Sequence, residues 1–140
     1  MDKEKTYTIS EIAEMMHVAP STLRYYDSEG LLPFVDRVNG RRVFKESDLS
    51  ALHLIECLKN TGMPIRDIKE YFILAKKGDA TLKERQSIIL KQKQSILDQI
   101  DFLKSNLKTI EHKEWYYKTA IEAGTEKIHD PAYKKSKKKK

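Results

Sequence analysis

Residues 20–32 read PSTLRYYDSEGLL, and residues 37–45 read RVNGRRVFK. The first stretch sets the hydroxyls of Ser21, Thr22, Tyr25 and Tyr26 beside the guanidinium of Arg24. The second holds Arg37, Arg41, Arg42 and Lys45 with no acid among them. Hydrogen-bond donors and fixed cations of this kind suit phosphate oxygens and base edges rather than proton transfer. Catalytic chemistry finds no comparable grouping. His17, His53, His112 and His129 share no motif, and no constellation of Asp, Glu, His and Cys stands together. An enzyme, a cofactor and a metal site are therefore not expected.

The elements around these residues must hold them in one place. TISEIAEMMH repeats Ile9, Ile12, Ala13 and Met16 at helical spacing, and either Thr8 or Ser10 can cap it; Thr8 with Glu11 forms a capping-box pattern. After a short connection, Pro20 suits the first position of a second helix and Gly30 its left-handed end. Two short helices across a tight turn predict a helix-turn-helix. Leu23 anchors the second helix, with Tyr26 nearer the core, its hydroxyl still able to reach a phosphate from the edge. Asn39-Gly40 then predicts a two-residue turn joining strands at 34–38 and 41–45. A basic two-stranded ribbon beside a reading helix would form a wing gripping the nucleic-acid backbone.

Helices are expected over 47–61 and 64–77, carrying Leu49, Leu52, Ile55 and Leu58, then Ile65, Ile68, Phe72 and Ala75. From residue 81 the period changes to seven: Leu82, Ile89, Ile96, Leu103, Ile110 and Tyr117. The companion position becomes apolar only later, through Ile100, Leu107 and Ile121. No Gly or Pro interrupts residues 81–123, which predicts a helix roughly 60 Å long at ~1.5 Å per residue. Its seam must be covered, most economically by a second copy; the alternative is a helix folded back on its own domain. The expected division is a winged helix-turn-helix domain at 6–78, a coiled-coil dimerisation helix at 81–123, and a short segment at 124–140 with a lysine-rich tail.

The net charge of +6 adds less than it suggests. Residues 134–140, KKSKKKK, carry six lysines, and without them the chain has 21 basic and 21 acidic residues. Nucleic-acid binding must then come from clustered charge, not from net charge. No stretch of ~18 apolar residues predicts a membrane span, and the N-terminus lacks a secretory h-region. A single cysteine, Cys57, fits a reducing compartment, so a cytoplasmic and nucleoid-associated protein is expected.

TISEIAEMM followed by STLRYYDSEGLLPFVDRVNGRRVFKESDL resembles the N-terminal domain of MerR-type transcription regulators. The later helices match the layout of that family, so the resemblance covers about residues 6–120. It implies a mainly α fold: a winged helix-turn-helix followed by a long dimerisation helix in an antiparallel coiled coil. It implies a homodimer on double-stranded promoter DNA whose spacer is over-long, distorting it so that bacterial RNA polymerase engages through the promoter. Carried over by position, Thr22, Arg24, Tyr25, Arg41 and Arg42 would contact DNA, with Tyr26 and Arg66 as candidate phosphate contacts. Two positions depart from the pattern. Ala19 stands where a Ser or Thr cap is usual, and Phe44 where a tyrosine is common.

The resemblance also bears on what is sensed. Metal-sensing members carry cysteines near the end of the dimer helix, and HKEWYYKTAIEAGTEKIH has none; His112 and His129 are expected to be exposed to solvent. The residues after that helix are too few for a large ligand domain. Cys57, in HLIECLKNTGMP, resembles the cysteine of a single-cysteine subgroup linked to aldehyde, electrophile and thiol stress. His53 lies four residues before it, and Lys59 and Arg66 are near in sequence; either could favour a thiolate. The other reading of Cys57 is a small core residue among Leu54, Ile55 and Leu58. Trp115, Tyr116 and Tyr117 are expected to cap the coiled coil against the partner, and the tail to add nonspecific DNA affinity. Two rival functions stay open: a coiled-coil interaction protein whose wing binds an acidic partner, and an architectural DNA-bending protein without an inducer response.

Overall fold

The computed structural model describes residues 5–133; the lysine run at 134–140 lies outside them. The elements run β1 (Thr6–Tyr7), α1 (Ile9–Met16), α2 (Pro20–Ser28), β2 (Asp36–Val38), β3 (Arg41–Lys45), α3 (Leu49–Asn60), α4 (Ile65–Lys77) and α5 (Leu82–Ala123). The fold is mainly α, with the expected helix-turn-helix, wing and long helix. It divides into two compact units, Met1–Ser95 and Ile96–Lys140.

In the first unit, Thr8 rather than Ser10 caps α1. The Glu11 amide donates to Thr8 Oγ1 at 3.2 Å, and the Thr8 amide donates to Glu11 Oε1 at 3.0 Å. Those bonds hold the Glu11 carboxyl below its usual range. The turn into α2 passes through His17 in the left-handed region, at φ 58°. Pro20 occupies the first turn of α2, and Ala19 before it offers no side-chain acceptor. Gly30 ends the segment at φ 77°, where a Cβ would also meet Lys69 Cε at 3.0 Å. The positive φ is what favours glycine there, since the flexible end of Lys69 could move aside.

The wing is a three-stranded sheet ordered β1-β3-β2. Asn39 at φ 52° and Gly40 at φ 78° give β2 and β3 the predicted tight turn. The sequence reading is corrected at both edges. β1 was not anticipated; it pairs Tyr7 with Phe44 and Thr6 with Lys45. The strand expected to start at 34 starts at Asp36, because Val35 turns into the core with its amide bonded to Leu32 O.

One core joins these parts. Ile12, Leu23, Tyr26, Leu31, Leu32, Phe44, Leu52, Ile55 and Ile68 are fully buried within it. At ~1.5–3 kcal/mol for each large apolar side chain removed from water, such burial is what orders the short helices, which would be marginal alone. The base of α5 is tied to the same unit by hydrogen bonds. Thr81 Oγ1 donates to Leu74 O at 2.6 Å and accepts from Arg85 Nε at 3.0 Å. Gln92 Nε2 donates to Thr61 Oγ1 at 2.6 Å.

In the second unit, a short helical turn at Glu126–His129 folds against the end of α5. The His129 ring stacks on Tyr116 at 4.4 Å, and its Nε2 lies 2.7 Å from Thr119 Oγ1. His129 is thus half-buried, correcting the expectation that it faces solvent, whereas His112 is exposed. The seam residues Leu82, Ile89, Ile100, Leu103, Leu107, Ile110 and Tyr117 are exposed, Leu103 at 64% and Ile110 at 65%; Ile96 is half-buried. The described chain leaves most of this apolar row uncovered.

Candidate nucleic-acid interface

The outward residues of α2 and the wing define the site. Ser21 and Arg24 are exposed, Thr22 is half-buried, and Tyr25 keeps 44% of its surface open. Arg41, beside the hairpin turn, is exposed as well. Arg24 and Arg41 line one recess of about 800 Å³ together with Thr6, Thr8 and Glu11.

Asp27 holds the two elements together. Arg42 donates from Nε at 2.9 Å and from Nη2 at 2.6 Å to Asp27 Oδ1, and from Nη1 to Val35 O. Arg37 Nη2 adds a longer contact to Asp27 Oδ2 at 3.4 Å. The Arg42–Asp27 pair is about four-fifths buried on both sides, with side-chain exposures of 18% and 20%. A forked guanidinium on a partly buried carboxylate is among the stronger polar links available. Arg42 therefore joins wing to helix, where the sequence reading had made it a DNA contact.

Tyr26 needs the same correction. It is 1% exposed, and its hydroxyl donates to Glu56 Oε1. Burial first, and the bond to Glu56 second, push its ionisation well above the usual phenol range. The hydroxyl is thus spent inside the protein and not at a phosphate. Lys45 is half-buried and pairs with Asp36 at 3.4 Å, while its amide donates to the buried Asp48 carboxylate at 2.9 Å. Arg66 stands apart, its side chain 89% exposed at the start of α4. Phe44 is fully buried, so a hydroxyl added to its ring would lie inside the core.

Sequence reasoning missed Asp27 and Glu56, and considered Lys59 only as a neighbour of Cys57. Lys59 Nζ lies 5.6 Å from the Tyr25 ring centre and 5.1 Å from that of Tyr26. The only hint was an arginine-rich ribbon following an aspartate, with no distance attached. Cys57 is exposed on α3, which removes the core-packing reading. His53, one turn earlier, is exposed too. Among the described residues no group of three His, Cys, Asp or Glu side chains could hold a metal ion. No described helix is long and apolar enough to cross a membrane.

Comparison with known proteins places the geometry in context. Residues 7–73 match the family model described as MerR HTH family regulatory protein, and residues 49–113 match that described as MerR, DNA binding. An HTH-type transcriptional regulator of Haemophilus influenzae is 42% identical over 123 residues, covering 87% of this chain and 91% of the relative. The regulator AdhR of Bacillus subtilis is 33% identical over 91 residues, 64% of this chain and 65% of the relative. Among solved structures, HiNmlR, a MerR family regulator lacking the sensor domain, bound to promoter DNA, superposes with a TM-score of 0.80 at 42% identity. That match covers 89% of this chain and 99% of HiNmlR.

Proposed function

Since the chain belongs to the MerR family of helix-turn-helix regulatory proteins, we propose that it binds double-stranded promoter DNA as a homodimer and controls transcription by distorting an over-long spacer. RNA polymerase would be engaged indirectly, through the reshaped promoter, which places the protein in the cytoplasm on the nucleoid. The supporting observation is the pairing of an exposed Arg24 and Tyr25 on α2 with an exposed Arg41 on a wing locked to that helix through Asp27 and Arg42. A single rigid head of this kind can read base edges and grip the flanking backbone together. HiNmlR is bound to promoter DNA in its solved structure, which favours the same partner here.

The roles divide along the chain. Residues 6–78 act as the winged helix-turn-helix domain, 81–123 as the dimerisation helix of an antiparallel coiled coil, and 124–140 as a short terminal segment. The uncovered seam from Leu82 to Tyr117 supports dimerisation. Cys57, exposed and with His53 one turn away, supports a response to electrophiles or aldehydes.

The test is binding of the full chain to duplexes carrying inverted repeats from the promoter upstream of its own gene. Salt-dependent affinity for the repeat, absent for a scrambled duplex, is expected. Equal binding to both duplexes would leave an architectural bender, and binding to neither would leave a coiled-coil interaction protein.

A further inference from the structure

We propose that Lys59 and Glu56 of α3 are positioning residues for the reading helix, holding the Tyr25 ring in place before DNA arrives. The proposal rests on the DNA-binding reading above and adds two residues from outside the helix-turn-helix.

Tyr25 is 44% exposed, and an exposed tyrosine samples several rotamers that a groove contact would have to freeze. Its ring is constrained from two directions. The Tyr26 ring lies 6.2 Å away, tilted at 51°. The Lys59 ammonium lies near the centres of both rings, at 5.6 Å and 5.1 Å. A cation within about 6 Å of a ring is attracted by its quadrupole, so one charge holds two adjacent tyrosines. Tyr26 is a fixed platform because its buried hydroxyl is bonded to Glu56. The order of dependence is therefore Glu56 to Tyr26, and Tyr26 with Lys59 to Tyr25.

Lys59 is exposed, so it can be changed without opening the core. The probe is a duplex that the wild-type full-length chain selects from a randomised pool. Lys59→Met keeps the stem and removes the charge; it should weaken binding to that duplex about two- to fivefold. Affinity for a scrambled duplex and the slope of affinity against salt should stay unchanged, and Lys59→Arg should restore binding. In a Tyr25→Ala background, Lys59→Met should have no further effect. Glu56→Ala and Tyr26→Phe should each weaken selected-duplex binding, and together no more than either alone.

Three results overturn the proposal. One is unchanged affinity in Lys59→Met. The second is an equal loss on both duplexes with a salt slope lower by about one, which marks a direct phosphate contact. The third is full additivity with Tyr25→Ala. Failure of the wild-type chain to select any duplex would instead overturn the DNA-binding reading itself, and this inference with it.

Discussion

The side-chain amide of Gln92 donates to Thr61 Oγ1 at 2.6 Å, and that hydroxyl donates in turn to the carbonyl of Cys57 at 2.7 Å. The turn between α3 and α4 is thereby tied to α5, and the same tie ends on the backbone of Cys57. Thr61→Val should remove both bonds and lower the unfolding free energy by about 1 kcal/mol, with Gln92→Leu giving a similar loss. Urea denaturation of the two single variants and the double variant checks this. Fully additive losses would show that the two residues do not act through one bond.

Cys57 lies one residue after Glu56 and two before Lys59, the side chains that touch Tyr26 and Tyr25. At about 100° per residue on α3, the Cys57 side chain projects to a different side from Glu56 and Lys59, so an adduct on its exposed sulfur would act through the helix and not by touching those two side chains. Cys57→Ser should leave operator affinity within about twofold, as expected for an exposed substitution. It should also abolish induction of a promoter fusion by formaldehyde. Undiminished induction in the serine variant would remove Cys57 as a sensor.

Arg41 and Arg42 are neighbours with different work. Arg41→Ala should leave thermal stability unchanged and reduce the salt slope of DNA binding by about one. Arg42→Ala strips Asp27 of its main partner and should destabilise the chain by about 1.5–3 kcal/mol. Calorimetry and salt-series binding of both variants separate the roles; a stable Arg42→Ala protein would contradict the clasp.

Tyr26 makes stability fall at alkaline pH. Its folded-state ionisation is raised above the unfolded value, by burial first and then by Glu56. The stabilisation is fully present below pH ~10, the ordinary phenol range, and is lost as pH rises toward the folded value. Tyr26→Phe should be about 1 kcal/mol less stable near neutrality, with a flatter stability profile above pH ~10. Denaturation curves from neutral to alkaline pH test this, and parallel profiles for the two proteins would refute it.

Leu103 and Ile110 test the seam. Burying a leucine in a dimer contributes ~1.5–3 kcal/mol, twice over in a symmetric pair. Leu103→Glu should therefore convert a sedimenting dimer to monomer while leaving the helicity of the first unit intact. A Leu103→Glu protein that still sediments as a dimer would locate the interface elsewhere.

The legible features were those encoded by local backbone chemistry. Pro20, Gly30 and Asn39-Gly40 mark their elements because ring closure or positive φ restricts what residue can stand there. The seven-residue repeat of Leu82 to Tyr117 marked the long helix for the same reason of period. What stayed hidden depends on partners distant in sequence. β1 is two residues long and exists only through pairing with β3. Strand alternation puts Arg42 on the face of Phe44 and Arg41 on the other, but only Asp27, fifteen positions earlier, gives Arg42 its partner. Cys57 looked like core because Ile55 and Leu58 flank it, yet the packed face of α3 passes through those two and leaves the sulfur outside.

On the proposed reading, the clasp between Asp27 and Arg42 would set which partner yields when protein and DNA meet. With the reading helix and the wing locked into one piece, the distance between groove contact and backbone contact is a property of the protein. In the proposed complex, a duplex that does not already present that spacing would roll, twist or kink to match it, at an energy that depends on its base steps. Stiff and pliable sequences would then be told apart at base pairs no side chain reaches, so part of the operator code would be written in the mechanics of the DNA.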